Sequence, residues 1–443
     1  MRRLNVQTTS SNECKKITIS KLFYGIIIFC TIYLTFSKLL LFSTNNNLNN
    51  MKTISYQEYK PGVKVTRLSE RLQNFPLRKN ATGKTSFKYM DITNPNVIEL
   101  FVEELAIVYS YANGSASDYL KIRLEACKNI HSLRFCNNKW RLERSRDSGE
   151  ILYSIRSIAK NMPWFRGHIY IVTATGKGPD YLDYSNPRLH VIHQKDIMPN
   201  ENIPSFINDC QEYYLTNIKG LNDRFIIFDD DTFLGRYAPP SVFLTQFGGN
   251  NLYVEDSLVD DCPCTSSQIW SCSVCNTLRT LRRVYGSGSV PFHYMKHAPR
   301  VYSRQVIEYI HTVKELDYAI RRGCKNPFRS GSLIQFDFLH HHVLMQTHLH
   351  DFGLSKGWNA DMHLIQLAGN DINSWKKLAS EWSVKPPLFY AINDEGWKDC
   401  RYGDVLLDLM NKLYPEPSEF EKKDATKLIH FSHCKYPAKN KLR

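Results

Sequence analysis

The sequence lacks internal repeats, and its basic residues do not form the dense tracts with which proteins bind polynucleotides. The chain is nevertheless strongly basic, because its 443 residues carry a formal charge of +14 and a pI near 9.1. Lysine and arginine are scattered among acidic residues, which favours sugar nucleotides, phosphorylated glycans or a membrane surface as the anionic partner. We therefore expect no nucleic-acid partner.

A cleavage site of small residues is also missing after the apolar segment Leu22–Phe42, which disfavours a removable signal peptide. The segment is long enough for a helix that crosses a bilayer. Five basic residues precede it, whereas the asparagine-rich stretch 43–50 carries no charge, so the positive-inside rule places the N-terminus in the cytosol. We expect a cytosolic tail at 1–21, a single-pass type II anchor at 22–42 and a stem at 43–95, followed by a lumenal body.

Cysteine usage agrees with an oxidising compartment, since ten of the twelve cysteines follow the apolar segment. Cys127 and Cys136 are spaced for a local disulfide. The segment 253–288 has the composition of an insertion held together by its own disulfides. Its four cysteines favour two disulfides over a zinc site. Those four are Cys262, Cys264, Cys272 and Cys275. Sequons at Asn80 and Asn113 are usable for glycosylation only on the lumenal side.

Short apolar runs alternate with helical patterns through the body, which is typical of an α/β fold with a largely parallel sheet. The helical pattern is clearest in 150–160, where three isoleucines fall on one stripe. We expect a Rossmann-like, mostly parallel sheet with flanking helices across 96–430, followed by a basic tail at 431–443. Predicted strands are 105–109, 168–173, 189–192, 225–228 and 388–392, and predicted helices are 150–160, 301–316, 334–348 and 405–413.

The apolar run Phe225–Phe228 stops at three consecutive carboxylates, Asp229, Asp230 and Asp231. Active sites of α/β sheets lie beyond the carboxyl ends of their strands, so this acidic run is expected at the mouth of a crevice. Adjacent carboxylates repel one another, and a divalent cation, Mg²⁺ or Mn²⁺, shared with phosphate oxygens would neutralise them. We predict that this acidic run binds such a cation, with a solvated acidic loop as the alternative.

Three further residues are candidates for the same site. Asp394 follows the predicted strand 388–392, and the two acidic strand ends converge on one rim if both strands belong to one parallel sheet. His297 precedes a predicted helix, where a neutral imidazole is free to act as a base, although a single histidine is more often structural. Arg329 has a planar guanidinium that suits phosphate oxygens, with a surface arginine as the alternative. Adjacent positions of a helix point in different directions, so His340–His342 is expected to serve packing and surface roles rather than to bind a metal.

Several of these segments together resemble the signature blocks of the Stealth family of sugar-1-phosphate transferases. This family includes bacterial capsule polymerases and the catalytic subunit of N-acetylglucosamine-1-phosphotransferase. The long second block is matched by Glu150–Ile158, Pro163–Arg166 and Ile169–Thr173, and continues to Asp229–Asp231 and Gly235–Arg236. Shorter segments resemble the other blocks, so that the resemblance spans roughly residues 104 to 421. They are Ala106–Gly114 for the first block, His297–Pro299 with Phe328–Ser330 for the third, and Phe389–Asp394 with Leu413–Glu421 for the fourth.

The resemblance implies a reaction in which an acceptor hydroxyl attacks the β-phosphorus of a nucleotide diphosphate sugar, so that a phosphodiester forms and a nucleoside monophosphate leaves. It also implies a glycan or glycoprotein acceptor and a Golgi membrane location. It implies His297 as the base and Arg329 as the group that holds the transferred phosphate. It implies Asp230 and Asp231 as the acids that bind the metal or orient the acceptor, and Asp394 as a further acid. The expected substrate contacts are Asn113, Gly114, Arg156 and Asn393.

The sequence departs from the family pattern in both of its first two blocks. Ala106 and Tyr111 stand where the first block usually has aspartate and tryptophan, and Asp229 replaces an asparagine of the second block. The change at Ala106 would weaken donor binding, alter nucleotide preference or mark an inactive relative. Two other functions stay open. One is a metal-dependent glycosyltransferase with an Asp-x-Asp motif at Asp229 and Asp231, which releases a nucleoside diphosphate; the other is an inactive lumenal glycan-binding protein.

Overall fold

The computed structural model describes residues 78–79, 85–86, 102–103, 105–128, 147–245, 248–259, 269–286, 290–355, 362–367, 372–394 and 399–429. All of them belong to one compact unit, residues 66–443. The predicted cytosolic tail, anchor and basic tail, and most of the predicted stem, lie outside the described residues. Within the described ranges, no helix combines the length and the apolar character needed to cross a membrane.

The described strands are β1 (Arg78–Lys79), β2 (Thr85–Ser86), β3 (Ala106–Tyr111), β4 (Ile169–Thr173), β5 (Leu189–His193), β6 (Arg224–Asp229), β7 (Thr232–Leu234), β8 (Asn250–Leu258), β9 (His293–Met295), β10 (Arg300–Ser303), β11 (Phe352–Ser355), β12 (Met362–Leu367) and β13 (Phe389–Asp394). The described α-helices are α1 (Ser117–Lys128), α2 (Glu150–Asn161), α3 (Asn208–Glu212), α4 (Ile269–Tyr285), α5 (Arg304–Thr312), α6 (Lys314–Cys324), α7 (Phe336–Thr347), α8 (Ile372–Val384) and α9 (Arg401–Leu413).

A five-stranded sheet with the order β10-β6-β3-β4-β5 forms the centre of this unit. β3, β4, β5 and β6 run parallel, and β10 pairs antiparallel with β6. The predicted α/β fold with a mostly parallel sheet is therefore confirmed. After β5 the chain returns to place β6 on the other side of β3, so the topological switch point lies between the carboxyl ends of β3 and β6. Ligands of open α/β sheets bind at such a point.

Both faces of this sheet are covered, which explains why its strands are apolar along their whole length. On one face, Val108 and Tyr170 pack with residues of helices α4 to α7. On the other face, Ile107 and Ile171 pack against the predicted isoleucine stripe of α2. The two layers hold the carboxyl ends of the parallel strands at one edge of the molecule.

A separate three-stranded sheet has the order β12-β13-β7. Because β13 pairs antiparallel with β7, the expectation that the strand before Asp394 belongs to the main parallel sheet is wrong. The two acidic strand ends nevertheless meet. β7 begins directly after Asp231, and the backbone N–H of Ile392 donates to the carbonyl of Asp231 at 3.0 Å. The carboxyl end of β13, which carries Asn393 and Asp394, thus lies beside the acidic run.

Two other predicted elements differ from the structure. Residues 300–303 form a strand instead of the start of a helix, because they pair antiparallel with Arg224–Ile227; helices α5 and α6 follow. The segment 253–288 is not a self-contained insertion, since β8 extends to Leu258 and α4 buries Leu278 in the main core. Both errors arise from tertiary contacts that the local pattern does not contain.

The cysteines of the segment 253–288 that the structure describes, Cys272 and Cys275, are both disulfide-bonded. This agrees with the predicted preference for disulfides over zinc. Cys127 is disulfide-bonded as well, whereas its predicted partner Cys136 lies outside the described residues, as do the other two cysteines of that segment.

A further disulfide, which the sequence did not predict, joins Cys210 of α3 to Cys324 at the end of α6. The bond closes 114 residues of chain. It fixes α3, a short helix of five residues, against the start of the loop that carries Arg329. Two segments that are far apart in the sequence are therefore held together near the carboxyl edge of the main sheet.

Candidate active site

The acidic run at the end of β6 meets the beginning of β10, its neighbour in the sheet. Arg300 of β10 donates hydrogen bonds from its two terminal nitrogens to the two carboxylate oxygens of Asp229, at 3.0 and 3.1 Å. Burial favours the neutral carboxyl, but the charge and the hydrogen bonds of Arg300 hold the pKa of Asp229 well below its usual value. Asp229 is therefore ionised and fully engaged with Arg300 at neutral pH.

His297, the predicted base, lies beside the same carboxylate. Its Nε2 is 3.7 Å from Oδ2 of Asp229. Burial lowers the pKa of His297, and the charge of Asp229 opposes this shift without reversing it, so the imidazole is neutral at pH 7. The Nε2 atom is buried and has no hydrogen-bond partner among the described residues. This nitrogen is thus available to accept a proton, although the residue precedes a strand and not the predicted helix.

Glu212 of α3 belongs to the site as well, and the sequence did not single it out. Its Oε1 is 3.5 Å from Nη2 of Arg300, and the hydroxyl of Tyr302 donates to its Oε2. Burial raises the pKa of Glu212 to about 8, against the effect of the Arg300 charge. Arg300 therefore lies between an ionised carboxylate and a carboxyl that is largely protonated at neutral pH. The signals in the sequence were a glutamate within the second block and an arginine three residues after His297.

Asp230 and Asp231, the predicted metal ligands, have no cationic side chain paired with them among the described residues. Burial and the charges of neighbouring carboxylates raise the pKa of both well above the usual value. An uncompensated pair of carboxylates at a strand end has the donor chemistry that suits a hard divalent cation. Within the described residues, no three side chains of metal-binding type are grouped to hold a metal.

Asp147 and Glu150, around the start of α2, extend the acidic surface towards the end of β3. Asp147 accepts hydrogen bonds from the hydroxyls of Tyr111 and Tyr181, at 2.6 and 2.8 Å. Burial and the charges of Asp147 and Asp230 raise the pKa of Glu150 to about 8. Tyr111 stands where the family usually has tryptophan. Its hydroxyl joins the end of β3 to Asp147, just before α2.

A cleft of about 290 Å³ lies beyond the carboxyl ends of β3 and β4. Its walls are the loop after β3, the start of α1 and the loop after β4. Asn113 lines this cleft, and Gly114 is buried in the turn that follows, so both predicted substrate contacts lie at the carboxyl edge. The other predicted glycosylation site, Asn80, lies outside the described residues.

Ala106, the first departure from the family pattern, lies at the opposite end of β3. It pairs with Phe225, whereas Ser110 pairs with Asp229, so roughly 13 Å of strand separate Ala106 from the acidic run. Its side chain is buried in the main core. An aspartate at this position would lie far from the carboxyl edge, and its absence removes no group from the candidate site.

Arg329 is exposed on the loop between α6 and α7. Its charge affects the pKa values of two acids of the site. Burial and the charge of Asp337 raise the pKa of Asp209 to about 6, and the charge of Arg329 opposes this shift. Arg329 is also among the cations that hold the pKa of Asp229 low against the effect of burial. The predicted phosphate-holding arginine therefore affects electrostatically two acids, Asp209 and Asp229, whose pKa values Arg300 also lowers.

Arg156 is placed elsewhere. Its guanidinium is buried and donates from Nε and Nη2 to the carboxylate of Glu421, at 2.9 and 2.6 Å. Nη1 donates to the carbonyl of Tyr414. Because all three nitrogens are engaged with the C-terminal segment, we revise the expected substrate contact of Arg156 to a structural one. The two fourth-block candidates, Asn393 and Asp394, lie at the end of β13 next to Asp231.

The run His340–His342 is buried, which confirms the packing role and shows the surface role to be wrong. His340 accepts a hydrogen bond from the backbone N–H of Ser303 at 3.0 Å. His341 and His342 contact the backbone carbonyls of Asp337 and His293 at 2.7 and 2.9 Å. His340 and His342 thus join α7 to β10 and β9, whereas His341 bonds within α7 and packs its ring against Tyr302 of β10.

These contacts define an α/β protein in which carboxylates, an imidazole and a guanidinium group meet at the carboxyl edge of a mostly parallel sheet. Residues 144–252 match the Stealth protein CR2 model, conserved region 2. The predicted resemblance of the second block to Stealth proteins is therefore confirmed. The matched residues carry Glu150, Glu212 and the acidic run Asp229–Asp231.

Curated relatives extend this similarity. The chain is 32% identical over 246 residues to an exopolysaccharide phosphotransferase of Streptomyces coelicolor, covering 54% of this chain and 39% of that protein. It is 35% identical over 112 residues to the mouse N-acetylglucosamine-1-phosphotransferase subunits alpha/beta, covering 25% of this chain and 9% of that protein. The chain thus spans less than half the length of these relatives.

Among solved structures, the galactosyltransferase LgtC in complex with donor and acceptor sugar analogues gives a TM-score of 0.36 at 10% identity. The match covers 71% of this chain and 98% of that chain. A TM-score at this level is too low to support an argument about fold or activity.

Proposed function

We propose that this protein transfers a sugar-1-phosphate from a nucleotide diphosphate sugar to a hydroxyl of a glycan acceptor. One observation carries the proposal: a neutral His297 with an unpartnered Nε2 lies beside Asp229, at the strand end that also carries two uncompensated carboxylates. A base, anions that suit a cation, and an exposed arginine are the groups that phosphoryl transfer requires. The names of the curated relatives, which are phosphotransferases, support the same class.

His297 would accept the proton of the acceptor hydroxyl. The bond that forms joins the acceptor oxygen to the β-phosphorus of the donor, and the bond that breaks joins this phosphorus to the oxygen of the departing nucleoside monophosphate. Asp229 lies next to the Nε2 of His297 and would stabilise the imidazolium that results. Because Asp229 is held ionised by Arg300, its negative charge is present throughout the reaction.

Arg329 would hold the transferred phosphate from the solvent side. Its planar group offers two parallel donors to phosphate oxygens. Asp230 and Asp231 are the residues that would hold a divalent cation, Mg²⁺ or Mn²⁺. When bound, such a cation neutralises charge on the diphosphate of the donor. The nucleoside part of the donor would occupy the cleft lined by Asn113, next to the acidic run.

A glycosyltransferase with an Asp-x-Asp motif is supported less well. Asp229 would be the first acid of that motif, but both of its carboxylate oxygens already accept hydrogen bonds from Arg300. The idea of an inactive relative rested on Ala106, which lies at the other end of β3. Neither rival explains a free imidazole nitrogen at the acidic edge.

Product analysis tests the proposal. The full chain is incubated with a panel of nucleotide diphosphate sugars, a mixture of glycan acceptors and Mg²⁺ or Mn²⁺, and the released nucleotide is identified. We expect a nucleoside monophosphate and a phosphodiester in the glycan. Release of a nucleoside diphosphate would instead support the glycosyltransferase. The variant His297→Gln serves as the control for contaminating activities.

We also propose that the body faces the Golgi lumen behind a type II anchor at 22–42. The supporting observations are the basic residues before this segment, the uncharged stretch after it and the disulfide between Cys210 and Cys324, since disulfides persist in oxidising compartments. Intact vesicles should protect the body from added protease, and an endoglycosidase should shift its mobility through a glycan on Asn80. Digestion of the body without detergent would overturn this topology.

A further inference from the structure

An ion pair spans the cleft beyond β3 and β4. Nζ of Lys177, on the loop after β4, is 2.9 Å from Oδ2 of Asp118, in the first turn of α1. Both residues line the cleft, and both are solvent-accessible, with side-chain exposures of 76% and 36%. The hydrogen bond between them raises the pKa of Lys177 and lowers that of Asp118, so both are charged at neutral pH.

The charges of the cleft are poorly matched to a nucleotide while this pair is closed. Lys177 is the one cationic residue among the described residues that line it, whereas Asp118 and Asp180 are acidic. A phosphate group would meet a net negative surface unless Lys177 turned towards it. Exposed ion pairs contribute little to stability because water and salt screen them. Replacing one partner of the Lys177–Asp118 pair by a ligand therefore costs little free energy.

The loop that carries Lys177 is held so that the side chain alone needs to move. The backbone N–H of Gly176 donates to the hydroxyl of Thr173 at 2.8 Å, and the hydroxyl of Tyr184 donates to the carbonyl of Pro179 at 3.0 Å. Gly176 has a φ of +73°, a conformation that other residues adopt at a cost. The base of the Lys177 side chain is thus fixed at the rim of the cleft.

We propose that the closed pair is replaced by a ribonucleotide, in which Asp118 accepts hydrogen bonds from the ribose hydroxyls and Lys177 contacts a phosphate. An acid that receives a ribose hydroxyl near the end of a parallel strand is a general feature of nucleotide sites in α/β sheets. The assignment rests on the proposed function, because it identifies the donor's nucleoside as a ribonucleoside. In this assignment Asp118 determines the preference for ribose, and Lys177 contributes affinity for the phosphate in the same cleft.

Direct binding tests the assignment without the transfer reaction. The full chain is titrated in a calorimeter with the four common ribonucleoside 5′-monophosphates, and the tightest one is compared with its 2′-deoxy counterpart. Lys177→Met should weaken both by about tenfold, the effect of one charge-assisted hydrogen bond. Asp118→Asn should weaken the ribonucleotide alone, and binding of the deoxynucleotide should stay equal or improve because Lys177 is released.

The control variants are Lys195→Met and Asp196→Asn, two exposed residues after β5 that do not line the cleft. They should leave both ligands unaffected. The assignment is overturned if none of the four monophosphates binds, if the variants match their controls, or if Asp118→Asn weakens both sugars equally. If the binding pattern holds but no donor releases a monophosphate, the proposed transfer fails and the cleft assignment stands. If transfer occurs and the two variants have unchanged KM for the donor, the cleft assignment alone fails.

Discussion

Arg300 and Asp229 are joined across two neighbouring strands by a pair of parallel hydrogen bonds. The strand register places Arg300 opposite Ile227. The guanidinium therefore extends two residues along β6 to reach the carboxylate of Asp229. Long side chains make such diagonal contacts in sheets. Only 10% of the Arg300 side chain is exposed. This one cation also contacts Glu212. Its charge lowers the pKa of both acids, which is enough to keep Asp229 ionised but does not outweigh the effect of burial on Glu212.

Replacement of Arg300 by methionine should lower the free energy of unfolding by about 3–5 kcal/mol, because Asp229 would be left as a buried charge without a partner. Urea denaturation at pH 7 measures this loss. The double variant Arg300→Met with Asp229→Asn removes both charges and should be clearly more stable than the single variant. A single variant within about 1 kcal/mol of the wild type would contradict the buried ion pair.

Replacement of His297 by glutamine should abolish transfer and leave donor binding nearly unchanged, since a base acts in the transition state. The pH profile of the wild-type rate provides a second measurement. A base must be neutral, and burial lowers the pKa of His297, so the rate should fall on acidification with an apparent pKa below about 6.5. A variant with near-normal turnover would move the role of base to an acid, Asp231.

Asparagine at Asp230 or Asp231 should have opposite effects on activity and stability. Transfer should fall by about 10²-fold or more, whereas relief of the repulsion between carboxylates should raise the free energy of unfolding by about 1 kcal/mol. In the wild type, Mg²⁺ or Mn²⁺ should raise the melting temperature, and each variant should lose most of this shift. Full wild-type activity in excess chelator would rule out the cation.

Lysine at Arg329 should weaken donor binding by about tenfold, because the charge remains but the two parallel donors are lost. The KM for the donor measures this effect. Arg321→Lys, an exposed arginine of α6 that pairs with Asp317, is the matched control and should behave as the wild type. Equal effects of the two variants would mean that Arg329 acts only through its charge at a distance.

Glutamine at Glu150 should flatten the dependence of stability on pH. The pKa of Glu150 in the folded protein, about 8, lies above that of an unfolded chain, so its contribution is complete at low pH and is lost as the pH rises through 8. One such group changes stability by at most about 1.4 kcal/mol per pH unit. Urea denaturation at pH 5, 6.5 and 8 should show a smaller decline for Glu150→Gln than for the wild type. Glu416→Gln, at an exposed glutamate, should retain the wild-type decline.

The sequence predicted those parts of the site that have a strong local signal. A buried strand that ends in Asp229–Asp231 is visible in the sequence, and so is the parallel order of the strands before it. Arg300 could not be recognised in this way, since its role depends on the antiparallel pairing of β10 with β6. That pairing also explains why 301–316 resembles one helix, because a short buried strand and the following helix are both apolar.

The sequence also did not show in which direction a side chain points. Arg156 lies in the block that resembles the family most closely, yet its guanidinium points to Glu421, which is 265 residues further along the chain. Glu212 lies in the same block and was passed over, although it contacts Arg300. Membership of a motif shows that a residue matters, but tertiary packing decides whether it faces a substrate or another part of the protein.

The hydrogen bond from Ile392 to Asp231 has a consequence for alleles of the gene. A stop codon between positions 330 and 388 would leave His297, Arg329 and the three aspartates in the translated product. It would nevertheless remove β13, the strand against which β7 and the carbonyl of Asp231 are set, together with Glu421, the partner of Arg156. Late truncations should therefore behave as null alleles even though the proposed base, the phosphate-holding arginine and the acidic run are still encoded.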